Sequence, residues 1–335
     1  KKLMANGADP GAVKQAEKAA RLEASANSFE ALALEWFKVK ADGWSDAYAK
    51  KIDSQLKKNV FPKIGRLPVL DVKAPQVLAL IRDIEKRNAL VMAGRVKQTI
   101  SQVMCYAVAT GRAEADPTTS LKGALKSAEV KHMASVTDPA KVGELLRAFD
   151  AFTGTPTVRS ALMLAPYVFT RIGELRQMKW ADVDLERALW SIPAEVMKMR
   201  EAHLVPLSTQ AVAILKEMHP LSGSYEFVFT GGRDPKRPMS DAAINAALRR
   251  LGIDTQNELT GHGFRAMART LLHERLHYPP EVIEVQLAHK APGPLGEAYA
   301  RAKFIDKRTE MMQAWANYVD DLKKGGQVIR LPGVA

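Results

Sequence analysis

An interruption constrains the fold of this chain more than any other feature. From Asp116–Pro117 to His132 the amphipathic pattern gives way to a polar run. Thr137–Asp138–Pro139 then restarts it, with Thr137 as the expected N-cap and the proline in the first turn of a new helix. At about 100–200 residues per domain, a 335-residue chain with such a break makes two domains, each long enough to bury its own core.

The two stretches differ in charge. Residues 1–134 hold 23 Lys and Arg against 14 Asp and Glu, a balance of +9, whereas residues 135–335 carry only +3. A polyanionic partner is the natural reading of the first stretch, and chemistry in the second must depend on a few placed charges. The single cysteine, Cys105, excludes a disulfide framework and any multi-cysteine zinc or iron–sulfur site. No apolar run approaches the roughly 18 residues a membrane span requires, and no secretory leader is visible, so a reducing cytoplasm without membrane attachment is expected.

In the first stretch, residues 1–25 are rich in Ala, Lys and Glu and read as a helical connector. Ser28 is placed to cap FEALALEWFKVK, and Ser45 opens a second helix through Tyr48, Ile52 and Leu56, with Lys50, Lys51, Lys57 and Lys58 spread along it. NVFPKIGRLPVLDVKAPQ, with three prolines, reads as a connecting loop. A third helix follows Ala74–Pro75, and a fourth runs from about Gly94 to Thr110 with Lys97, Gln98 and Ser101 on one side. The sum is a small helical bundle with basic faces.

The second stretch opens with two helices, KVGELLRAFDAF and TVRSALMLAPYVF. Three strand-like pieces follow, RALWSIP, AHLVPLS and EFVFTG, and then helical patterns resume from DAAINAALRRLG onward. The expected class is mainly α with a small antiparallel sheet, an α+β arrangement.

Four places in this stretch put cations or proton carriers at helix ends or turns. Arg171 follows an apolar helix, with Glu174 three residues on. Lys198 lies between two strand-like segments, as on a hairpin turn. His262 and Arg265 stand three apart at a helix start. His289 ends a helix, ahead of a loop holding Pro292, Gly293, Pro294 and Gly296, and then Tyr299. Two guanidinium forks can clamp the non-bridging oxygens of a phosphodiester, a phenol can attack phosphorus, a lysine can protonate the leaving oxygen, and histidines can accept a proton or brace an oxygen. The other tyrosines Tyr167, Tyr278 and Tyr318 read as interior aromatics.

The phrases TRIGEL, MKMREAHLVPLS, HGFRAMART, VQLAHK and AYARAKF carry these residues in an order that resembles the tyrosine recombinases, the phage-type integrases, and within them the prophage and genomic-island branch. The resemblance runs from about residue 27 to Asp320. It implies a helical core-binding bundle followed by a tyrosine-recombinase catalytic domain. The expected division is 1–26 as a connector left from a truncated N-terminal arm-binding domain, 27–126 as the core DNA-binding domain, 127–136 as linker, 137–325 as catalytic domain and 326–335 as a tail. Tyr299 would then be the nucleophile that forms a 3′-phosphotyrosyl link. Arg171 and Arg265 would hold the phosphate, Lys198 would be the general acid, His262 the proton acceptor, His289 a phosphate-contacting donor and Glu174 a support for Arg171. Lys50, Lys51, Lys57, Lys58, Lys97 and Gln98 are the candidate DNA contacts. The resemblance further implies no cofactor, a homotetramer on double-stranded attachment sites, a DNA-bending host factor and an excision factor as candidate accessories, and a bacterial, nucleoid-associated location.

Two other activities suit the same residues: type IB topoisomerase-like relaxation without strand exchange, and non-catalytic DNA binding on the same fold. One motif competes from outside. His273–Glu274–Arg275–Leu276–His277 fits H-E-x-x-H, with Glu297 as a conceivable third zinc ligand, but Pro279 and Pro280 end the helix directly after it.

Overall fold

The computed structural model describes residues 27–126, 134–289 and 304–325. The chain forms two compact units that part between Lys131 and His132.

The first unit is helical. Helix α1 (Phe29–Ala41) starts where Ser28 Oγ accepts from the Ala31 amide at 3.3 Å, and α2 (Asp46–Gln55) is capped in the same way by Ser45. The stretch read as a loop after Leu56 departs from expectation. Leu56–Gly65 continues as a π-helical segment straight through Pro62. Ile52, Leu56, Val60 and Ile64 recur every four residues and all lie in the core, so burying this stripe outweighs the hydrogen bond that the proline cannot make. Only from about Arg66 does the chain turn. There it is strapped to the start of α1 by Phe29 N donating to Leu67 O and Val69 N donating to Asn27 O, both at 2.9 Å. Helix α3 (Ala74–Lys86) and helix α4 (Leu90–Ala109) complete the bundle, α4 starting four residues before the expected Gly94. Arg112 forks onto both oxygens of Glu35 at 2.6 and 2.7 Å and Tyr106 adds a third bond at 2.6 Å. Those hydrogen bonds hold the Glu35 carboxyl down at about 2 and tie α1 to the end of α4.

The second unit opens with α5 (Pro139–Asp150). Its N-cap is Asp138 rather than Thr137: Asp138 Oδ1 accepts from the Lys141 amide at 2.9 Å and Pro139 takes the first helical position. Helix α6 (Pro156–Val168) ends at Phe169 in the left-handed region (φ 36°), and the short α7 (Ile172–Arg176) follows. The sheet is antiparallel in the order β1–β2–β3, formed by Val183–Asp184, Leu189–Ile192 and His203–Pro206, with Trp190 facing Val205 and Ile192 facing His203. EFVFTG is not a strand of it. Its residues make single bridges, Lys179 with Phe227 and Thr230 with Pro238, while Val228 and Phe229 fill the core; the short Val183–Asp184 takes the third place.

Helix α8 (Thr209–Ser222), capped by Ser208, was not anticipated. The rest follows the sequence reading: α9 (Ala243–Arg250), α10 (Gly263–Glu274), α11 (Pro280–Gln286) and α12 (Ile305–Lys324). Their apolar faces meet around Trp190, Phe264, Met267 and Trp315, with Trp315 Nε1 donating to Pro166 O at 2.8 Å. Among the described residues no helix is long and apolar enough to cross a membrane.

Candidate active site

Arg265 is the centre of the site. It lies in the first turn of α10 and is almost wholly buried. Its Nη1 donates to Phe169 O at 3.1 Å, and its Nη2 donates to Leu287 O at 2.6 Å and to His289 Nε2 at 3.1 Å. Both carbonyls stand at helix ends, so the guanidinium joins α10 to the ends of α6 and α11. Burial, then the nearby Arg171 charge, bring its pKa down to about 10. At neutral pH it is still a cation, and among the described residues it is held by two backbone carbonyls and an imidazole rather than by a carboxylate of its own.

Arg171 occupies the N-cap position of α7. Glu174, itself buried, accepts from the Arg171 backbone amide at 2.9 Å with one oxygen and from its Nη1 at 2.7 Å with the other. One carboxylate thus closes the helix start and aims the guanidinium.

His262 is the residue before α10 and is exposed at the surface. Partial burial, then Arg265, Arg171 and His289, lower its pKa, so it is predominantly neutral near pH 7 and able to accept a proton. Two glycines flank it, and each is needed for close approach. A Cβ on Gly261 would stand 2.8 Å from Ile172 Cγ1, and one on Gly263 would stand 2.3 Å from Ala134 O. These contacts seat the His262 turn beside α7 and against residues 134–135, where Ser135 Oγ also donates to Gly263 O at 2.9 Å.

His289 is brought back over α11 by a tight turn. Ala288 adopts φ 49°, and the His289 amide donates to Glu284 O at 3.0 Å. Its Nδ1 lies 2.6 Å from Glu284 Oε2, and Arg269 Nε donates to the other oxygen at 2.6 Å.

Lys198 is exposed between β2 and β3, next to the buried Met197, which anchors the turn. Among the described residues it makes no hydrogen bond or ion pair. The structure therefore brings Arg171, Glu174, His262, Arg265 and His289 together and leaves Lys198 on its hairpin. Tyr299, the Pro- and Gly-rich loop before it, Glu297, residues 1–26 and the 326–335 tail lie outside the described residues.

Five further residues around the site were not singled out from the sequence: Glu284, Arg269, His203, Gln286 and Arg308. Arg308, buried near the start of α12, donates through Nε to Gln286 Oε1 at 2.8 Å and through Nη2 to Leu204 O. His203 Nε2 meets Gln286 O at 3.1 Å. Burial, then Arg308, Arg265 and Arg171, push the His203 imidazole down to about 4. This polar group ties the β-hairpin, α11 and α12 together beneath Arg265. Glu284 had a readable signal, a carboxylate five residues before a helix-ending histidine; His203 and Arg308 had none beyond their polarity inside apolar phrases.

The H-E-x-x-H motif does not form a shared helical face. Helix α10 ends at Glu274, His277 sits beyond it at φ 56°, and His273 Nδ1 lies 3.4 Å from the Tyr278 carbonyl. Among the described residues no group of three or more His, Cys, Asp or Glu is gathered.

Paired guanidiniums flanked by histidines, on an α+β domain preceded by a separate helical unit, are the arrangement that the resemblance to the tyrosine recombinases implies. Comparison with known proteins makes the assignment specific. Residues 29–124 match the phage integrase central domain and residues 135–304 the phage integrase family. The chain is 34% identical to the integrase of Enterobacteria phage P4, over 96% of this chain and 75% of that protein, and 34% identical to the prophage integrase IntA of Escherichia coli K12, over 98% and 79%. In fold it is similar to lambda integrase solved as a tetramer bound to a Holliday junction, with a TM-score of 0.64 at 17% identity, covering 80% of this chain and 79% of that one. The protein belongs to the phage integrase family and is a site-specific recombinase that breaks and rejoins DNA.

Proposed function

We propose that Tyr299 is the nucleophile of this recombinase and that Arg171 and Arg265 hold the phosphate it attacks. The phenol oxygen bonds to phosphorus, the 5′ oxygen of the next nucleotide leaves, and a 3′-phosphotyrosyl link conserves the bond energy for rejoining. His262 takes the phenol proton and Lys198 returns one to the leaving oxygen. His289 supplies a hydrogen bond to a phosphoryl oxygen. The observation that carries the reading is the Arg171–Arg265 pair, two neighbouring cations of which the buried one is held by two backbone carbonyls and His289 and, among the described residues, by no carboxylate, an arrangement a phosphodiester would complete. Of the seven tyrosines, the six among the described residues make no hydrogen bond to any of these cations. Tyr167 donates instead to Asp320, at 2.5 Å.

The division of labour proposed is 27–126 for gripping the core of an attachment site, with Lys50, Lys51, Lys57, Lys58, Lys97 and Gln98 as contacts, and 137–325 for chemistry. Lys50, Lys51, Lys57, Lys58 and Gln98 are exposed and Lys97 is half-buried. Recombination needs four strand cleavages, so the working form proposed is a tetramer on DNA that integrates or excises a mobile element.

A nicked duplex that loses its 5′ fragment on cleavage tests the chemistry, because it traps protein on DNA. Wild type should trap; Tyr299→Phe should not. Arg265→Ala should retain most site affinity and lose cleavage. Trapping that survives Tyr299→Phe overturns the choice of nucleophile.

A further inference from the structure

We propose that Glu284 is a positioning residue for strand cleavage: it fixes the tautomer and ring plane in which His289 meets the scissile phosphate. The inference deepens the site reading above and rests on it. Three observations carry it. First, an arginine has donors only, so the 3.1 Å approach of Arg265 Nη2 to His289 Nε2 makes that ring nitrogen the acceptor and leaves the ring proton on Nδ1. Second, Nδ1 lies 2.6 Å from Glu284 Oε2, within reach of a strong charge-assisted bond. Third, the carboxylate is itself held: its other oxygen accepts from Arg269 Nε at 2.6 Å, and its side chain is only 22% exposed.

Arg269, Glu284, His289 and Arg265 therefore form one chain of hydrogen bonds that ends on the phosphate-binding guanidinium. Local structure explains why it closes. The left-handed turn at Ala288 folds residue 289 back over the last turn of α11, setting the imidazole above a side chain five residues earlier. Arg269 lies four residues after Arg265, on the same face of α10. Burial alone would push the Glu284 carboxyl up; hydrogen bonds from Arg269 and His289 reverse this and keep it below the ordinary range, so it is an anion in the working pH range. With Nδ1–H anchored on that anion the ring plane is fixed, and in the doubly protonated ring the same Nε2 would donate to a phosphoryl oxygen without any rotation.

Two measurements on the full chain test this. In protein carrying ¹⁵N-labelled histidine, the His289 ring should show the Nδ1–H tautomer in wild type and in Glu284→Gln, whose amide oxygen still accepts. It should lose that preference in Glu284→Ala. On a nicked duplex whose sequence is recovered from DNA trapped by the wild-type protein, Glu284→Ala should slow trapping at saturating DNA by about tenfold or more, the range seen when partners that orient a functional histidine are removed. The loss should fall on the rate rather than on the DNA concentration at half-saturation, and Glu284→Gln should restore most of it.

An unchanged tautomer in Glu284→Ala, or full-rate trapping by that variant, overturns the proposal, as does a Glu284→Gln variant as slow as Glu284→Ala. His289→Ala separates the two levels of inference. If it traps at the wild-type rate, the phosphate-contact reading of His289 fails on its own evidence, whatever the ring signals of the Glu284 variants show.

Discussion

His203 shows at the residue scale how a side chain with no expected role comes to matter. It is a strand residue in the phrase AHLVPLS, where alternation would let a polar group point outward. Instead it sits half-buried against Gln286 O, near three arginines, and its imidazole is held neutral down to about pH 4. An unfolded histidine takes up its proton near 6.5, so between these values the unfolded chain binds more protons than the folded one. Stability therefore rises with pH across this window and is lost as pH falls from about 6.5 toward 4. Two and a half pH units correspond to about 3 kcal/mol at most, a large part of the stability of a domain this size. Denaturant unfolding of the wild type between pH 7 and pH 4 should show this decline, and His203→Gln, which can still donate to the carbonyl, should flatten it. Equal slopes for the two proteins would mean that other groups govern acid sensitivity. The contrast with Arg171, Glu174, His262, Arg265 and His289 is instructive. Those five were legible because each sits at a helix end inside a distinctive phrase. His203 and Arg308 meet partners distant in sequence, and spacing along one chain carries no record of such pairings.

At the element scale the same contrast recurs. Helices with an apolar stripe and a capping side chain, such as those begun by Ser28 and Ser45, were readable because both signals are local. The π-helical Leu56–Gly65 was not, because its proline is the loudest local signal and its four-residue apolar repeat the quieter one. EFVFTG failed for the opposite reason. Its apolar residues are buried as a strand's would be, but its backbone finds only isolated partners, so burial and pairing, which usually coincide, part company here. The π-helical reading has a direct test. Val60 is fully buried, so Val60→Ala should remove two methyl groups from a packed interior and cost about 2 kcal/mol of stability in the first unit. A residue in a solvated loop would lose less than about 0.5 kcal/mol on the same change. Urea titration of the full chain, followed by amide hydrogen exchange within residues 27–126, reads out this unit, and a cost below about 0.5 kcal/mol would remove Val60 from the core.

For the whole molecule, where charge is placed matters more than how much there is. Residues 1–134 hold most of the excess, and the second unit is nearly balanced apart from its clustered site cations. Binding and chemistry should therefore respond differently to salt and to substitution. Each lysine that neutralises a phosphate releases a condensed counterion and contributes about 0.9 to the slope of log affinity against log salt. Lys50 and Lys51 are exposed and make no ion pair among the described residues, whereas Lys57 is engaged by Asp53 at 2.9 Å. The double variant Lys50→Ala, Lys51→Ala should lower the salt slope by about two if both touch phosphates, and should weaken specific and nonspecific duplexes by similar factors. Cleavage by DNA-saturated protein should hardly change, because neither lysine belongs to the catalytic unit. Filter binding across a range of salt concentrations, run beside single-turnover trapping at saturating DNA, separates these effects. An unaltered slope would remove both lysines from the backbone contacts. A change confined to one DNA sequence would make them readers of base edges, and the first unit would then set specificity through the residues that its charge alone marks as docking groups.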